Sequence, residues 1–162
     1  CYQDLGASIA LLSAARAADN PSWHAEALAL ARACASRTDA QAQIRDAGLC
    51  HGALGAAHLF DRLWQATGDQ EFERAARHWL DRGLALRSDR PIAGFPASSI
   101  EDGVESWIAD PSLLSGASGV ALVLHSMITS VEPGWDQLLL VDLEPIDLEP
   151  VEPGLESTAT TG

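Results

Sequence analysis

Lysine is missing from this chain. All ten basic residues are arginines, set against 23 aspartates and glutamates, and the net charge is −13. Residues 16, 32, 37, 45 and 62 are arginines spread along the chain, with no basic stripe. Nucleic-acid binding depends on clustered positive charge facing phosphates, so no nucleic-acid partner is expected. Long apolar runs are missing as well. None reaches the roughly 20 residues of a membrane-spanning helix, and no membrane span is expected. Cysteine is scarce, with three copies. That odd number, without secretory context, argues against a disulfide framework and for metal or thiol chemistry in a reducing cytoplasm. A starting methionine is missing too. The chain begins on Cys1, so an upstream segment is expected and the lack of a signal peptide excludes nothing.

What is present is alanine and leucine in quantity. The 162 residues, 47% of them hydrophobic, are enough for one helix-rich domain with its own core. Apolar residues recur at three-to-four spacing, the helical period, in five segments. Residues 5–18 align Leu5, Ile9 and Leu12, and 22–36 align Trp23, Ala27, Leu30 and Cys34. A third segment runs over 53–66 and a fourth over 70–86, the latter with Phe72, Ala76, Trp79, Leu80 and Gly83 on one face. The fifth, 113–128, is apolar almost all round, so burial on most sides is expected. Ser22 and Asp69 are candidate N-caps. Residues 88–111, with Pro91, Pro96 and Pro111, read as a long loop. The expected fold is all-α. Residues 142–162 repeat DLEP amid frequent prolines and read as a disordered acidic tail. From Glu132 onward there are eight acidic residues and no basic one.

Three short stretches repeat. CYQDLGA (1–7), CHGALGA (50–56) and LSGASGV (114–120) each place a glycine sixth: Gly6, Gly55 and Gly119. The second and third share a further glycine, Gly52 and Gly116. The unit is a helical hairpin in which a glycine-marked helix alternates with an ordinary one. Such units bury their faces only by stacking on neighbours, as around the axis of a ring of helices.

Cys1 and Cys50 are equivalent in this repeat, and His51 follows Cys50. In a ring, equivalent helix heads lie at one end, close in space. Adjacent residues of a regular helix point about 100° apart, but at a helix entrance, relieved by Gly52, neighbouring side chains can converge. Two thiolates and one imidazole suit zinc, with the fourth position left open. Such a zinc favours thiol chemistry, lowering a thiol pKa from about 8.5. The competing reading makes the cysteines small core residues and His51 a helix cap.

CYQDLG, GLCHGALGAAHLF and SLLSGASGVALVL, in this order, resemble the C-terminal half of the lanthionine synthetase C family, the lanthipeptide cyclases. GWDQLLL resembles the family's last segment. The resemblance covers residues 1 to about 141, taken as part of a cyclase domain. It implies an α/α toroid, here a partial one, and a zinc held by Cys1, Cys50 and His51. It also implies addition of peptide cysteines to dehydroalanine or dehydrobutyrine, closing thioether rings in a precursor peptide, with a dehydratase as functional partner. Tyr2 matches the tyrosine after the first zinc cysteine. Gln3 departs from the family's usual glycine. The family's acid–base histidine, an aspartate and an arginine all precede the first zinc cysteine, so the chain reads as half an enzyme. The alternatives are a non-catalytic helical module that binds a thiol or a peptide, and a truncated inactive product.

The remaining candidates have simpler readings. Cys34, on an apolar helix face, reads as core. His24, His58, His78 and His125 fall in expected helices, and His125 reads as a hydrogen-bonded core or cavity residue. Asp102 and Glu105 read as a solvated edge, and Asp4 as a cap or a ligand-orienting group. Ser112 and Ser115 lack a convincing His–Asp set.

Overall fold

Alanine, leucine and phenylalanine at helical spacing build most of the molecule. The computed structural model describes residues 2–89 and 92–146. Its helices are α1 (Tyr2–Ala17), α2 (Pro21–Ala35), α3 (Asp39–Ala42), α4 (Ala53–Thr67), α5 (Gln70–Ala85) and α6 (Ala117–Ile128). Between α5 and α6 lies a hairpin of β1 (Ala97–Glu101) and β2 (Val104–Ile108), and a 3₁₀ turn spans Asp136–Leu139. α1 packs on α2 and α4 on α5 as helical hairpins; α4 also touches α1 and α6, and α2 touches α5. The helices therefore lie in two layers, α1–α4–α6 and α2–α5.

The larger core sits between these layers. It gathers Leu5, Ile9 and Leu12 of α1, Ala27, Ala31 and Cys34 of α2, Phe60 and Leu63 of α4, and Phe72 and Trp79 of α5. Each large side chain buried there contributes roughly 1.5–3 kcal/mol. A second core of Leu49, Leu54, Phe95, Val120 and Val123 joins α4 to α6 and the loop before α4. It fixes the end of the molecule where the glycine-marked helices begin.

Several expectations change. The expected loop over 88–111 contains the antiparallel β1–β2 hairpin, paired from Ala97↔Ile108 to Glu101↔Val104. Its turn is Asp102-Gly103, with φ 50° and 78°, a left-handed pair that suits the twist of two short strands. Thr38 and Gln41 form a reciprocal capping box that starts α3. The N-cap of α2 is Asn20, not Ser22, because the Asn20 side chain accepts from the backbone N–H groups of Ser22 and Trp23. Asp69 caps α5 as expected. Trp23 is exposed and takes no part in the buried face of α2.

α6 begins at Ala117, later than expected, because residues 113–116 fold back over the helix head. A Cβ on Gly119 would lie 2.0 Å from the Leu113 carbonyl oxygen. Only Ala117, Gly119, Val120 and Val123 of α6 are buried. Among the described residues its main helical contact is with α4, its outer face is largely open, and His125 is exposed rather than a core residue. The start of the expected tail packs on the body. Leu143 is 2% exposed within the main core, the Ile146 N–H donates to the Gln65 carbonyl, and Arg16 donates to the Glu144 carbonyl. Residues 147–162 lie outside the described part.

Candidate functional site

The loop before α4 is built around Asp46. Its side chain is fully buried, and its Oδ1 accepts from the Gly48 N–H at 3.0 Å. Its Oδ2 accepts from the Ser98 N–H on β1 at 3.0 Å, and its carbonyl accepts from the Ala53 N–H, the first of α4, at 2.8 Å. One residue thus closes the loop, ties it to the hairpin and caps the helix in place of a side-chain cap. The loop returns so closely that a Cβ on Gly52 would stand 2.1 Å from the Gly48 nitrogen. Here glycine is required by close approach, since its φ of −100° is open to any residue.

The loop before α6 repeats this design. The Asp110 Oδ1 accepts from the Ser112 N–H at 2.7 Å, and the Asp110 carbonyl accepts from the Ala117 N–H at 2.8 Å. A Cβ on Gly116 would lie 2.2 Å from that same carbonyl oxygen. Cys50 in one loop corresponds to Leu114 in the other, and the two meet: the Cys50 N–H donates to the Leu114 carbonyl at 2.7 Å.

Cys50 and His51 stand in this loop with their side chains exposed. That exposure removes the buried-core reading for Cys50. The His51 Nε2 lies 3.5 Å from the Asp46 Oδ2. A carboxylate behind one ring nitrogen leaves the other, Nδ1, for a ligand. A soft sulfur and an imidazole nitrogen, adjacent and open, fit two positions of a zinc donor set. Cys1, the third expected ligand, lies outside the described residues. Tyr2 opens α1, and only its backbone is described. Among the described residues, no three His, Cys, Asp or Glu side chains group to hold a metal.

Behind Cys50 lies a cavity of about 220 Å³, lined by Gly6, Leu49, Gly55, His58, Leu59, Leu114, Leu139 and Val141. The heads of α1 and α4 and the loop leading into α6 all reach it, so the three repeats converge on one space. His58 and Arg62, on the inward face of α4, are 1% and 2% exposed. The His58 Nε2 is 3.1 Å from the Asp136 Oδ2, and the Arg62 Nε is 3.0 Å from the same oxygen. Arg62 also reaches Glu132 at 2.7 Å and donates to Gln65 at 3.1 Å. Trp135 stacks on the His58 ring with centroids 4.7 Å apart. These contacts fasten the segment after α6 onto the middle of α4.

A profile for lanthionine synthetase C-like proteins matches residues 1–140. The chain belongs to the lanthionine synthetase C-like family. No curated protein matches the sequence. The family match covers the same stretch as the glycine-marked repeats and stops just short of Val141. Among the described residues, no helix of this family member is long and apolar enough to cross a membrane.

The other candidates resolve simply. Cys34 is buried, and burial pushes its thiol up. Asp4 pairs with Arg37, which holds its carboxyl below the usual carboxylate range. Glu105 pairs with Arg45 at 3.1 Å on the exposed hairpin, while Asp102 sits in its turn. His78 contacts Asp39 at 2.7 Å. Ser112 and Ser115 belong to the loop before α6. Sequence reasoning missed Asp46, Arg62 and Asp136, and it left His58 among the ordinary helical histidines. A usable signal existed for the first: an aspartate six residues before the glycine in both DAGLCHG and DPSLLSG.

Proposed function

We propose that the chain forms the zinc-bearing part of a lanthionine cyclase. Its substrate would be a dehydrated precursor peptide, whose cysteine thiolates add to dehydroalanine or dehydrobutyrine to close thioether rings. Family membership supports the cyclase class. The single observation that carries the finer reading is the open head of α4, where Cys50 stands exposed at the edge of an apolar cavity with His51, also exposed, next to it in the chain. Cys1, Cys50 and His51 would be the metal ligands, with Tyr2 beside them. Zinc bound there would stabilise the peptide cysteine as a nucleophilic thiolate.

The chain's own residues do the rest. Asp46 holds one ring nitrogen of His51, so the imidazole presents the other outward. The Leu114 carbonyl fixes the backbone at Cys50 and keeps the thiol at the loop's edge. The leucines and the valine around the cavity keep water from the reacting sulfur. The layers α1–α4–α6 and α2–α5 would be one arc of an α/α toroid. A general acid for the enolate would come from residues that precede Cys1 in the family, and a dehydratase in the cytoplasm would supply the substrate.

Elemental analysis of the chain, purified without added metal, tests the site. About one zinc per chain, lost in the Cys50→Ala/His51→Ala variant, is expected. No zinc in a folded wild-type chain would overturn the metal reading. Zinc without thioether formation on a dehydrated peptide would leave a module that binds a thiol or a peptide.

A further inference from the structure

Residues 141–146 are held at the far end of α4, away from Cys50. The last carbonyls of a helix have no donor within it. Two of them find donors elsewhere. The Gln65 carbonyl accepts from the Ile146 N–H at 2.9 Å, and the Ala66 carbonyl accepts from the Arg16 Nη2 at 2.7 Å. The other terminal nitrogen of Arg16 donates to the Glu144 carbonyl at 3.0 Å. Between these polar ties Leu143 enters the main core, with Val141 packed at its margin. The slot therefore grips the backbone at Glu144 and Ile146 and one leucine side chain, while Asp142, Glu144 and Pro145 are exposed.

Pro145 suits its place. It has no N–H to satisfy, and it biases Glu144 toward the extended backbone that offers its carbonyl to Arg16. The sequence then writes the same pattern again. Residues 141–146 read VDLEPI, and 146–151 read IDLEPV. Leu148 stands five residues after Leu143, and Pro150 five after Pro145. Only the two ends differ, valine exchanged for isoleucine at one and isoleucine for valine at the other, a volume change that a site this open tolerates. Every group the slot grips in the first copy has a counterpart in the second.

We propose that the slot at the end of α4 binds either copy of the DLEP repeat, so that the chain has two registers five residues apart. In the second register Leu148 takes the place of Leu143, and the Val151 N–H donates to the Gln65 carbonyl. Residues 141–145 then bulge between Leu140 and Ile146. Leu140 is exposed at the end of the 3₁₀ turn, so this loop has solvent to enter. The ties of Asp136 to Arg62 and His58 lie upstream of it and stay in place. Closing the extra loop costs entropy, though the cost grows slowly with length. The first register is free of that cost and is the major one. The register also sets which residue stands at the cavity behind Cys50, Val141 in the first and the larger Ile146 in the second. None of this depends on the zinc or cyclase reading.

The test is amide hydrogen exchange, read by NMR on the full chain at the Ile146 and Val151 N–H groups. In the wild type Ile146 is expected to exchange more slowly than Val151. Leu143→Ala removes the first anchor, and protection is expected to move to Val151, whose exchange slows roughly tenfold or more against wild type, the scale set by burying one leucine. Adding Leu148→Ala to that variant should abolish the new protection, while Leu148→Ala alone should leave Ile146 as in wild type. A Leu143→Ala chain in which Ile146 stays protected, or in which neither amide is protected, overturns the proposal. So does a Leu143→Ala chain that fails to fold, because the second copy has then not replaced the first. Protection of Val151 that grows with protein concentration would put the second copy in a neighbouring chain's slot, and it overturns the two registers of a single chain.

Discussion

The heads of α4 and α6 share one construction and differ in what it carries. Each has an aspartate that closes its own loop through a side-chain oxygen and caps the helix through its carbonyl. Each has a glycine six residues later where a Cβ would strike the returning backbone. Between these fixed points, one loop holds Cys50 and His51 and the other Leu114 and Ser115. The aspartates differ as well: Asp46 is 1% exposed and touches His51, while Asp110 is only part-buried. The glycines that mark the repeat are therefore about packing at a shared end of the helices. The two loops differ at two positions between these fixed points, Cys50-His51 in one and Leu114-Ser115 in the other.

Below their heads the two helices also differ. α4 buries an arginine and a histidine, whereas the only ionisable side chain of α6, His125, is exposed. The largest effect is therefore expected at Arg62. Arg62→Met leaves the Asp136 carboxylate buried without its cation, and the expected loss is roughly 3–5 kcal/mol in urea denaturation. Asp136→Asn in the same chain should recover part of it. A loss below about 1 kcal/mol, the worth of an exposed pair, would put α4 on a level with α6.

The shared construction itself is tested next. Gly52→Ala and Gly116→Ala should each cost about 3 kcal/mol, since the clash is with backbone and cannot be relieved by a rotamer change. Similar losses at both would confirm one device used twice. A cheap substitution at either would break the parallel.

Much of this architecture was legible beforehand. Residues 53–66 and 70–86 read correctly as helices because their apolar periodicity is strong and both are covered by neighbours. α6 read as buried all round because composition alone does not reveal how many neighbours a helix has. The hairpin was hidden by prolines at 91, 96 and 111, although Asp-Gly at 102–103 is a strong turn signal. Cys50 and His51 stood out by chemistry and glycine framing. The His58–Asp136 contact joins residues 78 apart, and local sequence pattern carries no trace of such a pairing. Asp46 escaped notice because a lone aspartate in a loop usually faces water.

Acid titration contrasts the α4–α5 turn with the body of α4 at a smaller scale. Asp69 accepts from the Glu71 N–H and pairs with Arg32, and both hold its carboxyl below the usual range. Its contribution is present at neutral pH and is lost as the pH falls through that lowered value. Burial pushes the Asp61 carboxyl up instead. Its ionisation costs stability at neutral pH, and the cost disappears as the pH falls below the ordinary carboxylate range. Asp69→Asn should therefore be less stable than wild type at pH 7, and Asp61→Asn more stable, with both differences shrinking toward acid. Urea midpoints measured from pH 7 down to about 3 check both; Asp61→Asn less stable than wild type at pH 7 would reverse the second sign.

The smallest expected effect bears on the first repeat. Gly6 is the counterpart of Gly119, yet a Cβ on Gly6 meets no described atom within 4 Å, whereas one on Gly119 meets the Leu113 carbonyl at 2.0 Å. Gly6 lies inside α1, where glycine is costly because it loses more backbone freedom than alanine. Gly6→Ala should therefore stabilise the chain by roughly 0.5–1 kcal/mol, the opposite sign to Gly52→Ala. It also places a methyl group at the wall of the cavity. If stability rises by that amount, the α1 head is open where the heads of α4 and α6 are packed. If Gly6→Ala destabilises as Gly52→Ala does, the head of α1 is packed like those of α4 and α6, and all three repeats use glycine for the same reason.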